Sequence, residues 1–274
     1  APAMVPTARG HHVKTNRLDS QKISESLRGG QLKSIHVPST RYRELRHLIQ
    51  LRDTCVRQAT NAKLRIKALL LFEGISFPQS GPGRQWTKGV LADLKGLKCA
   101  GSVRFKLDQL IGSLEFSEGQ VRTTTREIRR FCAQDEEICR CIGFLLTIPG
   151  IGWITASHLL ARIGDWRLLR NVRQLAAFLG LAQRENSTGD NINRGPITRA
   201  GDGRLRNKLI QGAWTAIRVD PEMAEFYARI YAKHPKHEAS KKAIVAVARK
   251  MTMRIHAVLS EQRAYVVQRR ISSQ

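Results

Sequence analysis

Three stretches of the chain carry residues whose types and spacing could do chemistry. The first runs Arg184-Glu185-Asn186-Ser187-Thr188-Gly189-Asp190-Asn191 and continues through Arg194, Arg199, Arg204 and Arg206. A serine hydroxyl attacks a phosphodiester only where something offsets the charge of its alkoxide and of the phosphorane. Arginines and metal ions do that. A hydroxyl in a glycine-rich segment is also an ordinary turn residue, and spacing alone leaves both readings of Ser187 open. The second stretch is Ile148-Pro149-Gly150-Ile151-Gly152, followed by Trp153-Ile154-Thr155-Ala156. An apolar helix, a Pro-Gly-Ile-Gly turn and a second helix make the helix-hairpin-helix pattern. Glycines admit a phosphate close to the backbone, and the N–H groups that open the second helix favour an anion. Pro149, Gly150, Ile151, Gly152 and Thr155 would then position DNA without reading its sequence. The plainer alternative is a tight turn between two packed helices.

The third stretch is Lys14-Thr15-Asn16-Arg17-Leu18-Asp19-Ser20. Asn16 and Asp19 stand three apart, so a helix puts both on one face. Two acidic groups there could hold a divalent cation, but only Asp19 is acidic. The first 43 residues hold two carboxylates, Asp19 and Glu25. A two-metal nuclease site needs several, so this segment cannot assemble one alone. Asp19 could equally cap a helix or pair with Arg17 or Lys22.

Charge sets the class of partner. The 274 residues carry 47 Lys and Arg against 22 Asp and Glu, a formal net charge of +25. A surplus of that size needs a polyanion, an anionic membrane or high salt to relieve its self-repulsion. No run approaches the roughly 18 apolar residues of a spanning helix, so a membrane is the weaker reading. The basic residues spread along the whole chain, which points to nucleic acid, with double-stranded DNA the expected partner. A basic structural RNA-binding protein is the rival, although few aromatics (6%) argue against a stacking-based single-strand binder. Five cysteines, an odd count with no secretory signal before them, fit a reducing cytoplasm. Cys139 and Cys141 lack a second ligand pair at zinc spacing. The chain begins Ala-Pro-Ala-Met-Val-Pro. That reads as the inside of a longer protein, or a processed one.

The elements that must position these residues are mainly α-helical. Residues 13–27 predict a helix capped by Asn16 or Asp19 and ended by Gly29-Gly30. Ser34-Ile35-His36-Val37-Pro38 predicts a short buried strand. Residues 41–72 predict one long helix, 86–98 a short amphipathic piece and 103–146 a second long helix. Apolar stripes on the two long helices predict an antiparallel hairpin or coiled coil, or simply two core helices. Further helices are expected over 153–163, 171–180, 202–218, 221–232 and 238–261. Residues 182–201 are polar, glycine-rich and without periodicity, which predicts a functional or disordered loop. The expected domains are 1–40, 41–143, 144–262 and a basic tail 263–274.

Taken together, the three stretches resemble the DEDD-type insertion-sequence transposases of the IS-one-ten family, some of which are bridge-RNA-guided recombinases. Lys14-Thr15-Asn16-Arg17-Leu18-Asp19-Ser20 looks like the Lys-Thr-Asp-x-x-Asp-Ala stretch that closes the family's RuvC-like domain. The Pro-Gly-Ile-Gly turn follows in order. After it come Leu175-Ala176-Ala177-Phe178-Leu179-Gly180-Leu181, Ser187-Thr188-Gly189, Ile197-Thr198-Arg199-Ala200-Gly201-Asp202, Leu205 to Leu209, and Ala246-Val247-Ala248-Arg249-Lys250. The resemblance implies a RuvC-like α/β remnant, a helical hairpin or coiled coil, and a helical transposase domain. It implies four acidic residues on Mg2+, a serine that becomes covalently joined to a DNA end, and a homo-oligomer sharing these groups between subunits. A guide RNA is a further partner in some members. Ser187 takes the place of the nucleophile and Asp19 that of the last acid, with Asn16 where the family has its third. DNA contacts are expected from Lys14, Arg17, Arg184, Arg194, Arg199, Arg204 and Arg206. The family's first two acids belong to strands upstream of Ala1, so strand cleavage by this chain is expected to be impaired. A non-catalytic DNA-binding remnant is the alternative.

Overall fold

Apolar residues at three- and four-residue spacing fold into ten α-helices among the described residues. The computed structural model describes residues 15–32, 36–78, 86–188, 191 and 193–267, with the side chain of Arg194 outside that set. The chain divides into two units, Ala1–Ser39 and Thr40–Gln274.

In the first unit, α1 spans Asn16–Arg28. Its cap is Thr15, neither Asn16 nor Asp19: the Thr15 hydroxyl accepts the N–H of Leu18 at 3.3 Å. An N-cap oxygen must reach an N–H two or three residues ahead from an extended backbone, and Asn16 is already inside the helix. Gly29 closes the helix, as expected, and Gly30 follows at φ +64°. The strand expected over 34–38 does not form in its described part. Residues 36–39 have no strand partner, and Val37 is 64% exposed. Ser34 and Ile35 lie outside the described residues.

In the second unit, α2 (Thr40–Phe72) and α4 (Gly101–Ala133) pack against each other antiparallel. The sense follows from their polar contacts: Arg41 with Asp135, Arg52 Nε with Thr125 Oγ1 at 2.9 Å, and Lys63 with Glu118 at 2.7 Å. Their far ends share a core with α3 (Lys88–Gly96), built on Ile66, Leu70, Leu94, Leu107 and Leu114. Their near ends enter a second, larger core. In it Leu45 and Ile128 meet α5 (Glu136–Leu146), α6 (Trp153–Ile163), α7 (Val172–Phe178), α8 (Gly203–Val219), α9 (Pro221–Tyr231) and α10 (Lys236–Glu261). Each fully buried Leu or Ile there contributes roughly 1.5–3 kcal/mol. The faces between the two cores carry the small or polar Cys55, Ser117 and Thr124.

Two expectations change. The second long helix does not run on to residue 146: α4 ends at Ala133, and Asp135, in extended backbone, caps α5 by accepting from Ile138 N at 3.0 Å. Arg41 reaches across from α2 to Asp135 and Glu137, which holds the break in place. The seven-residue repeat misleads because α5 buries its own face in the same core. The described residues of 182–201 also include paired backbone. They contain an antiparallel pair, β1 (Gln183–Glu185) with β2 (Arg194–Ile197), in the register Gln183↔Ile197 and Glu185↔Arg194 with an irregularity between. All three β1 residues are exposed, so no apolar alternation marks the strand.

The turn between α5 and α6 sits against α8 at two glycines. A Cβ on Gly150, whose φ is +86°, would lie 2.0 Å from the carbonyl oxygen of Gly212. A Cβ on Gly212 would lie 2.2 Å from that of Gly150. Gly150→Ala and Gly212→Ala are therefore each expected to lower stability by about 3 kcal/mol or more. Gly112 lies inside α4 with open space where its Cβ would be, so Gly112→Ala is expected to raise stability by about 0.5–1 kcal/mol. Thermal denaturation of the three variants checks both signs.

Candidate functional site

A polar cluster lies where α2, α6 and α8 meet. Lys208 donates to Asp53 Oδ1 at 3.0 Å and contacts His158 Nδ1 at 2.9 Å. His158 Nε2 lies 3.2 Å from Asp202 Oδ2, and Arg162 Nε reaches the same oxygen at 3.2 Å. An ammonium can only donate, so Nδ1 accepts and the imidazole carries its proton on Nε2, facing the carboxylate. Asp202 Oδ1 meanwhile caps α8, accepting the N–H groups of Arg204 and Leu205 at 2.9 and 3.2 Å. One carboxylate thus starts a helix and anchors its neighbour.

The electrostatics follow from burial. His158 is 2% exposed. Burial, then the Lys208 charge, pushes its pKa below the usual imidazole value, although Asp202 and Asp53 pull the other way. Burial works against the Asp202 carboxylate, yet its backbone N–H partners, His158 and Arg162 outweigh that and hold its pKa below the ordinary range.

The Ser187 hairpin rises from the same region. Its foot is clamped by close backbone contacts: a Cβ on Gly180 would lie 1.9 Å from Ala200 O, and one on Gly201 would lie 2.2 Å from Phe178 O. Thr198 N donates to Ala182 O at 2.8 Å, and Arg206 Nη1 to Leu179 O at 3.3 Å. Arg206 therefore supports the foot of the hairpin from below. Near the tip Ser187 is exposed. Its hydroxyl accepts from Asn193 N at 3.2 Å and donates to Glu185 Oε1 at 3.2 Å. Sequence reasoning missed Glu185. Its position two residues before Ser187 was the available signal, because an extended chain puts both on one side. Arg184 reaches Thr198 O at 3.4 Å, while Arg199, in left-handed backbone at φ +56°, and Arg204 are exposed. Gly189, Asp190, Ile192 and the Arg194 side chain lie outside the described residues.

The turn at residues 148–152 divides its glycines between two tasks. Gly150 packs on Gly212. Gly152 is the N-cap of α6, offers no side chain to its first N–H groups, and has open space beside it. Thr155 is half-buried one turn in, and Arg129 stacks on Trp153 at 5.4 Å. The segment after α10 holds the other side of the turn: Tyr265 N donates to Thr147 Oγ1 at 2.8 Å, and its hydroxyl to buried Asp220 at 2.9 Å.

In the first unit Asn16 and Arg17 are exposed and Asp19 is half-buried on α1, while Lys14 lies outside the described residues. No group of three or more His, Cys, Asp or Glu that could hold a metal occurs among the described residues. No described helix is long and apolar enough to cross a membrane.

Two family models match the chain. One, described as Transposase IS116/IS110/IS902 family, covers residues 143–228, and a DEDD transposase model of the IS110 type covers residues 2–73. Relatives agree with them. The chain is 29% identical to the y4qE protein of Sinorhizobium fredii over 78% of its own length and 51% of that protein. It is 28% identical to a family 20 transposase, by name, of Pseudomonas aeruginosa, over 97% of the chain and 77% of the relative. It is 26% identical to the transposase for insertion sequence element IS1111A of Coxiella burnetii, over 92% and 68%. It thus spans about half the first relative and larger shares of the other two.

The His158 network gives a pH dependence of defined sign. An imidazole whose folded pKa lies below the unfolded value of 6.5 stabilises fully above that value, and loses its contribution as pH falls through the folded pKa. The melting temperature is expected to drop between pH 7.5 and 5.5, with a smaller drop in His158→Gln, measured by thermal denaturation at each pH.

Proposed function

Because the chain belongs to the IS116/IS110/IS902 family of insertion-sequence transposases, we propose that it acts in DNA transposition with Ser187 as its phosphoryl-transfer nucleophile. One observation carries the reading: Ser187 stands exposed on a hairpin with a clamped foot, its hydroxyl directed at the Glu185 carboxylate. A carboxylate at that distance can take the hydroxyl proton as the oxygen attacks. The Oγ–P bond forms, the bond from phosphorus to the departing sugar oxygen breaks, and the proton on Glu185 is available to that oxygen. Arg184 and Arg199 on the same hairpin would stabilise the phosphorane charge.

DNA would lie along phosphate contacts. The open N-terminal end of α6 at Gly152, the helix-hairpin-helix reading of this turn, would take one phosphate. Thr155 and the exposed Arg204 would add others. The net charge of +25 supports a salt-dependent, sequence-independent component of binding. A second copy of the chain, and a guide RNA, are partners that this reading would add.

The described residues do not by themselves fit a Mg2+ site. α1 brings two carboxylates, Asp19 and Glu25, the second held by Gln21, and three residues before Asp19 the uncharged amide of Asn16, which binds a hard cation more weakly. Further carboxylates would have to come from outside the described residues. Asn16 also favours a second reading, in which the chain holds DNA without cutting it and competes with an intact copy.

Binding to a labelled duplex is expected to weaken about 10³-fold or more between 50 and 200 mM salt. Unchanged affinity across that range would count against the phosphate contacts. A covalent protein–DNA adduct that survives denaturation, low in yield because the acidic set is incomplete, is expected from the unaltered chain with divalent cation present. Ser187→Ala should abolish it and Glu185→Gln should slow it at least tenfold, both with duplex binding within twofold of the unaltered chain. An adduct that persists in Ser187→Ala would remove the nucleophile assignment. No adduct from the unaltered chain, with binding intact, would favour the non-cutting reading.

A further inference from the structure

We propose that the cleft between α2, α6 and the start of α8 is a subsite for one backbone phosphate of duplex DNA, an assignment that rests on the DNA-binding reading above. The cleft has a volume of about 400 Å³ and is lined by Gln50 and Thr54 of α2, Arg162 of α6 and Arg204 of α8, with His158 and Asp202 at its floor.

Its charge is settled by what the buried groups have already done with their partners. The two carboxylates, Asp53 and Asp202, are paired internally: Lys208 donates to the first with Arg204 3.6 Å away, and two backbone N–H groups donate to the second, which also faces His158 and forms an ion pair with Arg162. His158 accepts from the Lys208 ammonium through Nδ1, which leaves the ring uncharged. Against these two negative charges stand Lys208, Arg162, Arg204 and Arg46, whose guanidinium also holds the carbonyls of Ala161 and Arg162 at the end of α6. The site therefore keeps a positive surplus while its anions are satisfied internally. A cation is excluded by that surplus, and by the absence of a carboxylate free of a basic partner at its floor.

The cations facing the cleft can still serve a ligand. Arg204 is 47% exposed and only loosely paired, 3.6 Å from Asp53. Arg162 meets Asp202 through Nε. A guanidinium has five N–H donors in a planar fork, so both arginines have donors beyond the ones these pairs use. Gln50 and Thr54 add uncharged donors. Two arginine forks with neutral donors beside them suit a phosphate, which spreads its charge over several oxygens. Duplex DNA is the source favoured by position. Asp202 follows Gly201 directly, so the cleft adjoins the foot of the hairpin that bears Ser187, and a strand passing that hairpin passes the cleft.

Charge changes at Gln50 test the site, because Gln50 is exposed and its replacement need not disturb the buried network. Gln109, on the exposed face of α4, receives the same changes as a control for net charge alone. Binding of labelled duplex is measured by fluorescence anisotropy across a salt series. Gln50→Glu is expected to weaken binding about tenfold more than Gln109→Glu, and Gln50→Lys to tighten it more than Gln109→Lys. Arg204→Gln is expected to lower the slope of log affinity against log salt by about one. Equal effects at Gln50 and Gln109, with the unaltered chain binding normally, would overturn this subsite and leave the DNA reading intact. Absence of salt-dependent binding by the unaltered chain overturns both. A Gln50 effect seen on duplex RNA and missing on duplex DNA overturns the assignment to DNA.

Discussion

The second unit depends on one backbone contact. Gly150 and Gly212 bring the α5–α6 turn and the body of α8 so close that neither can carry a Cβ. That contact fixes where α6 starts relative to α8. Once the two helices are set, His158 on α6 falls opposite Asp202 and Lys208 on α8, and α2 closes the junction with Asp53. The turn glycines therefore serve packing as much as any ligand. Gly150 is occupied by protein backbone, and only Gly152 is left facing open space.

Few acidic residues stand against many basic ones, and where they stand explains the surface. Asp135, Asp202 and Asp220 each start a helix, at α5, α8 and α9, and each also holds an arginine, respectively Arg41, Arg162 and Arg254. A capping carboxylate satisfies N–H groups that the helix leaves unpaired, and near the helix N-terminus its charge is favourable. Placing carboxylates at these corners uses them for internal structure. Exposed arginines such as Arg199 and Arg204 are then left to present the positive surplus to solvent. A polyanion would relieve the resulting repulsion.

The Ser187 hairpin follows the same logic on a smaller scale. Its strands are short and exposed, and a two-stranded ribbon is marginal in water. What orders it is its foot, where Gly180 and Gly201 let the chain press against Ala200 and Phe178, and where Arg206 ties down Leu179. The Ser187 hydroxyl on this projecting ribbon is open to a bulky partner, and the clamped foot limits its wandering. Among the described residues, the first unit has one helix, α1, capped by Thr15.

The sequence by itself determined the helical character, most helix limits, the charge and the family. Three-four spacing is local, and the bounds of α6 and α8 follow from it to within a residue. It also marked Ser187, because family order places that serine without any knowledge of contacts. Tertiary structure decided the rest, for reasons of distance along the chain. The break at Gln134 is invisible to a repeat that carries on across it, since contacts of Arg41 from α2 with Asp135 and Glu137 hold the corner. β1 and β2 carry no alternation, so their pairing depends on clamps at the foot of the hairpin. Asp53, His158, Asp202 and Lys208 stand up to 155 residues apart in sequence, each an unremarkable member of its own helix. They come together only when two glycines allow α6 and α8 to touch.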